Sequence, residues 1–68
     1  MVMDERDFYK QVGFELKASR ELFGLTVEVM SEVLGVEPNT IYRWENGSRR
    51  ISIYQYVKWR DFIKSLSS

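Results

Sequence analysis

Asn39 and Arg43 stand four residues apart, so on a helix their side chains share one face. One carries an amide and the other a guanidinium, and each can make two hydrogen bonds to a single planar partner. Just beyond them Ser48-Arg49-Arg50 forms a basic turn suited to neutralising an anion. Other chemistry has few parts available. The 68 residues include no cysteine and no histidine, which removes disulfides, thiol nucleophiles, imidazole bases and the usual zinc ligands together. No spaced run of Asp and Asn with a turn glycine has the form of a calcium loop. No nucleophile stands with a base beside it. The expectation is a protein without catalysis, metal or cofactor.

Ten basic and ten acidic side chains cancel to a net charge of zero, but they are not evenly placed. Residues 1–37 hold four basic and eight acidic side chains, whereas residues 38–68 hold six basic (Arg43, Arg49, Arg50, Lys58, Arg60 and Lys64) and two acidic. The position of fixed charge matters more than its sum, and one end of the chain is suited to an anionic partner. Solvated helix faces that happen to differ in sign would give the same split.

Four or five short helices would position these groups. Phe8, Val12, Leu16 and Phe23, with small Ser19 between them, recur at helical spacing from Asp4 to Phe23, and Gly24 supplies a stop. Thr26 is a helix N-cap, followed by Val27, Met30, Val33 and Leu34 on a helical period and ended by Gly35. Pro38 suits the first position of a third helix, where its missing N–H costs nothing, and Ile41 and Trp44 form its apolar stripe before Asn46-Gly47. A terminal helix of about 52–66 contains no breaker. At 44% hydrophobic and 15% aromatic the composition is that of one all-α globular domain over 1–68, with room for one core. No apolar stretch is long enough to span a bilayer, and the first ten residues are charged where a signal peptide would be apolar. A soluble, cytoplasmic protein is expected.

Two short helices joined at Gly35-Val36-Glu37 form a helix-turn-helix pattern over about 26–46, which many helical bundles share. The run from Leu25 to Gly47 is more specific. Its Leu34-Gly35-Val36 turn, Ile41, the Trp44-Glu45-Asn46-Gly47 ending and the basic Arg49-Arg50 beyond closely resemble the phage Cro and repressor type of helix-turn-helix, the xenobiotic-response-element family, over roughly residues 8–58. The resemblance implies a small, lambda-repressor-like fold of about five helices and a DNA-binding transcriptional regulator. Carried over by position, it places Asn39 and Arg43 at base edges, with Thr40, Asn46, Ser48, Arg49 and Arg50 near the phosphate backbone; Tyr42 would reach a phosphate or a thymine methyl group. The chemistry suits these roles, since Asn can bond bidentately to adenine and Arg to guanine. On residue type alone, Asn39 reads equally as a solvated first-turn residue and Arg43 as one member of a surface ion pair. The resemblance also implies that Arg20 pairs with Glu45 as a structural brace. Where the family usually has glutamine at the start of the second helix this chain has Val27, with Pro38 opposite, so one polar backbone clamp is lost.

The terminal segment carries Ile51, Ile53, Tyr54, Tyr56, Val57, Trp59, Phe62, Ile63 and Leu66, more apolar surface than one helix face can hide. The reading is a homodimer with Trp59, Phe62 and Leu66 at its interface, bound to double-stranded DNA at a palindromic site. For any one of these residues, closing the core is an equal reading. The competing function is a protein-binding module, an antitoxin or anti-repressor, that uses the same fold to hold a protein partner.

Overall fold

The computed structural model describes residues 4–67. Helix α1 (Glu5–Leu22) begins where the Asp4 side chain accepts the N–H of Asp7 at 3.1 Å, and Glu5 and Asp7 place negative charge at the helix's positive end. Helix α2 (Val27–Leu34) is capped by Thr26, whose hydroxyl accepts the N–H of Val29 at 3.1 Å, and ends at Gly35 with φ 69°. In that left-handed conformation a side chain would be strained, and it lets the N–H groups of Gly35 and Val36 both donate to the Ser31 carbonyl. The chain then turns within three residues into helix α3 (Pro38–Glu45), with Pro38 in the first turn. Helix α4 (Ile53–Ser67) starts after Ser52, whose hydroxyl accepts the N–H of Gln55 at 3.2 Å.

Among the described residues this is an all-α fold of four helices with α2 and α3 as a helix-turn-helix. α3 packs against both α1 and α2, and α4 packs against α2. The fifth helix that the resemblance suggested is absent from the described residues. The core is Leu16, Val27, Met30, Leu34, Ile41, Trp44, Ile51 and Trp59, so every helix contributes to it. Phe23 is half-buried, whereas Phe8, expected on the apolar stripe of α1, is exposed.

Trp59 corrects an expectation. It is 2% exposed, and its indole N–H donates to Ser19 Oγ at 3.0 Å, which in turn donates to the Leu16 carbonyl at 2.8 Å. With its one polar atom satisfied, the ring closes the core and is not available to a second copy. Phe62 is half-buried against the same core, and Leu66 is exposed. The chain's three aromatic and aliphatic candidates therefore have three different environments.

Candidate nucleic-acid interface

The face of α3 opposite Ile41 and Trp44 carries the exposed side chains of Asn39, Tyr42 and Arg43. Their exposure follows from the helical period: Ile41, Trp44 and Glu45 are buried, and Asn39 and Arg43, one turn apart, fall on the other side. Among the described residues neither Arg43 nor Arg49 pairs its guanidinium with a carboxylate. Thr40 is half-buried and lines a cleft with Trp44, Arg49, Arg50 and Ser52.

The loop after α3 is held by its own backbone. Asn46 N–H donates to the Tyr42 carbonyl at 3.0 Å and Gly47 N–H to the Trp44 carbonyl at 3.2 Å. Ser48 N–H and Arg49 N–H both reach the Arg43 carbonyl, at 3.0 and 3.2 Å. Asn46 Oδ1 accepts a further bond from Ser48 N–H at 2.9 Å. These amides are consequently satisfied internally, and what the loop offers an anion is side chains: the Asn46 amide group, the Ser48 hydroxyl and the guanidinium of Arg49.

Arg50 is placed differently. Its guanidinium pairs with Glu5 at the start of α1 and lies 5.6 Å from the centre of the Tyr9 ring. Arg50 and Glu5 are both exposed, so their ion pair is weak, but any anion must compete with it.

Behind this face, Arg20 and Glu45 lock α1 to the end of α3. Arg20 Nε donates to Glu45 Oε2 at 2.7 Å and Nη2 to Oε1 at 3.1 Å, while Nη1 donates to the Leu25 carbonyl at 2.8 Å. Both side chains are buried. Hydrogen bonding to Glu45 raises the Arg20 pKa above its ordinary value, against the opposing effect of burial. The third bond ties in the turn leading to α2, so one guanidinium fixes three segments. Val27 lies in the core and leaves no polar group at the start of α2 beyond the Thr26 cap and exposed Glu28.

Two glycines set how closely α1 meets this unit: Gly13, which carries no signal in the sequence, and Gly47, which reads there only as part of the ending of α3. A Cβ on Gly13 would lie 2.3 Å from the Trp44 carbonyl oxygen and 2.5 Å from that of Glu45. One on Gly47, where φ is 80°, would lie 2.9 Å from Lys10 Cα. Both glycines let α1 rest on the backbone of the α3 C-terminus, and no local sequence signal distinguishes such a glycine from a helix-weakening one.

No helix among the described residues is long and apolar enough to cross a membrane, and no group of three or more carboxylates among them could hold a metal ion. Compared with known protein families, residues 16–63 match the family model described as helix-turn-helix. No curated protein matches the chain.

Proposed function

The chain belongs to the Cro/repressor-type helix-turn-helix family of DNA-binding regulators, and on that footing we propose that it is a sequence-specific transcriptional repressor reading the major groove of double-stranded DNA with α3. One observation carries the reading: Asn39 and Arg43 stand exposed and unpaired on one face of α3, beside unpaired Arg49, on a helix fixed by a buried ion pair. In this reading Asn39 and Arg43 meet base edges. Thr40, Tyr42, Asn46, Ser48, Arg49 and Arg50 lie along the phosphates and supply affinity without sequence information. The protein acts in the cytoplasm, without catalysis.

The test is a salt titration of binding to random duplex and to DNA from just upstream of its own gene, with wild type and Arg43→Ala. The upstream DNA should be preferred, and the variant should lose about 10- to 100-fold of that preference, as expected for one bidentate base contact worth about 1–3 kcal/mol. Binding to neither DNA at low salt overturns the reading. A second reading, a protein-binding module of the antitoxin or anti-repressor kind, is favoured by Ile53, 82% exposed in the first turn of α4. It predicts that a protein partner is retained by Arg43→Ala.

A further inference from the structure

The Asn46-Gly47 pair that ends α3 has a chemistry of its own. The backbone nitrogen of the residue after an asparagine can attack the side-chain carbonyl carbon, and glycine, with no Cβ, obstructs that attack least. The chain's other asparagine, Asn39, is followed by β-branched Thr40 inside α3. Asn46 is exposed, so water reaches it and a leaving group can depart.

The fold holds the reacting atoms apart. At Asn46 ψ is 0°, so the Gly47 nitrogen eclipses the Asn46 nitrogen, whereas ring closure needs it to eclipse Cβ. The Gly47 N–H is donated to the Trp44 carbonyl at 3.2 Å, and Asn46 Oδ1 accepts the Ser48 N–H at 2.9 Å, which fixes the side-chain amide by its oxygen. Helix α1 then closes over the pair: a Cβ on Gly47 would lie 2.8 Å from Lys10 Cγ and 2.9 Å from Lys10 Cα. Turning ψ to the reactive position breaks both hydrogen bonds and displaces Gly47 from its seat against Lys10.

We propose that Asn46-Gly47 is a deamidation site kept shut by the docking of α1 on the end of α3. When the docking opens, the Gly47 nitrogen attacks Asn46 Cγ. The new N–Cγ bond closes a succinimide ring, the Cγ–Nδ2 bond breaks, and ammonia leaves with the proton lost from the Gly47 nitrogen. One water then opens the ring at either carbonyl. Opening at Cγ gives aspartate; opening at the backbone carbonyl gives isoaspartate, whose main chain runs through Cγ and is one carbon longer. Aspartate keeps the bond from Ser48 N–H but adds a negative charge to the loop of Ser48 and Arg49. Isoaspartate adds the same charge and also moves the N–H groups of Gly47, Ser48 and Arg49 out of register with the Trp44 and Arg43 carbonyls. In the DNA-binding reading, on which this consequence rests, either product sets a carboxylate against the phosphates, so every opening of α1 exposes the chain to irreversible loss of binding.

The test incubates the full chain in mildly alkaline buffer with and without guanidinium chloride and follows the exchange of amide for acid at each asparagine by peptide mapping and mass spectrometry. Asn46 should react at least about ten-fold faster in denaturant than in buffer, with isoaspartate among the products, and Asn39 should lag in denaturant. Gly13→Ala, which loosens α1 on α3, should speed Asn46 in buffer and leave its rate in denaturant unchanged. Amide hydrogen exchange reads the same opening in wild type without a substitution, and the Gly47 N–H should exchange as slowly as the interior amides of α3. The proposal is overturned by equal rates in buffer and denaturant, by an Asn46 that stays intact in both, or by a Gly47 N–H that exchanges freely. A Gly13→Ala chain no faster than wild type in buffer overturns the part given to α1. The aspartate and isoaspartate forms, separated by ion exchange, should hold duplex DNA at least about ten-fold more weakly than the unreacted chain. Equal binding overturns the consequence for DNA, whereas a chain that binds no DNA while Asn46 reacts as described overturns the DNA-binding reading and leaves the site standing.

Discussion

Arg20 and Glu45 have exchanged water for one another, and the cost of that exchange falls on whichever is left alone. Replacing Arg20 with Ala strands a buried carboxylate and should cost about 3–5 kcal/mol, whereas the double replacement Arg20→Met with Glu45→Leu should cost much less. Urea denaturation of the two singles and the double measures the coupling, and additive losses would refute it. The pair is insensitive to pH on the arginine side. A raised Arg20 pKa means that its stabilisation is complete below the ordinary arginine range and is lost only as pH climbs through the higher folded value, so it is flat across neutral pH. The two loop arginines differ more than their adjacency suggests. Arg49 is free, and Arg49→Ala should lower the slope of log affinity against log salt for duplex DNA by about 0.9. Arg50 already has Glu5 and Tyr9, so Arg50→Ala should change the slope by less, and Glu5→Gln should tighten binding. Equal slopes for the two alanine variants would show that the Glu5 contact does not compete.

At the level of elements, the decisive contact is that of α1 with the end of α3, and it depends on a missing side chain. Alanine is the better helix former by about 1 kcal/mol, so at an exposed helical site Gly→Ala would stabilise. At Gly13 the added methyl would meet the carbonyl oxygens of Trp44 and Glu45, neither of which can move without shifting α3, and Gly13→Ala should lose at least about 2 kcal/mol net. Thermal unfolding gives the sign directly, and a rise in Tm would mean that α1 can slide. Helix limits were readable in the sequence because they are written locally: Thr26 caps, Gly35 stops and Pro38 restarts, each by its own backbone chemistry. The role of Gly13 was not readable, because it depends on a neighbour more than 30 residues away. The same holds for Arg50 and Glu5, 45 residues apart. The Arg20–Glu45 pairing, across 25 residues, came from the family resemblance and not from any pattern in the residues.

For the whole molecule the question is which apolar groups one small core can take. α4 carries aromatic or aliphatic residues at nearly every angle, so periodicity could not say whether Trp59 lies inside or outside; the structure puts it inside, against Ser19 of α1. Even so, apolar surface is left in water on both helices: Ile53, Tyr54 and Leu66 of α4, and Phe14 and Leu22 of α1. A chain of this length buries only about 60% of the surface it exposes when unfolded, so its stability is small and sensitive to anything that binds the folded form alone. Duplex DNA held by α3, as proposed, would be such a ligand. At a hundredfold excess over Kd it would add about 2.7 kcal/mol, and each kcal/mol moves the Tm of a domain this size by about 4–8 °C. Wild-type Tm should therefore climb with added upstream duplex, while that of Arg43→Ala should climb less. Calorimetry with and without the duplex separates two sources of stability: a Tm that climbs chiefly for wild type comes from the contacts of α3, and one that is flat for both means that the core around Trp59 holds the fold unaided.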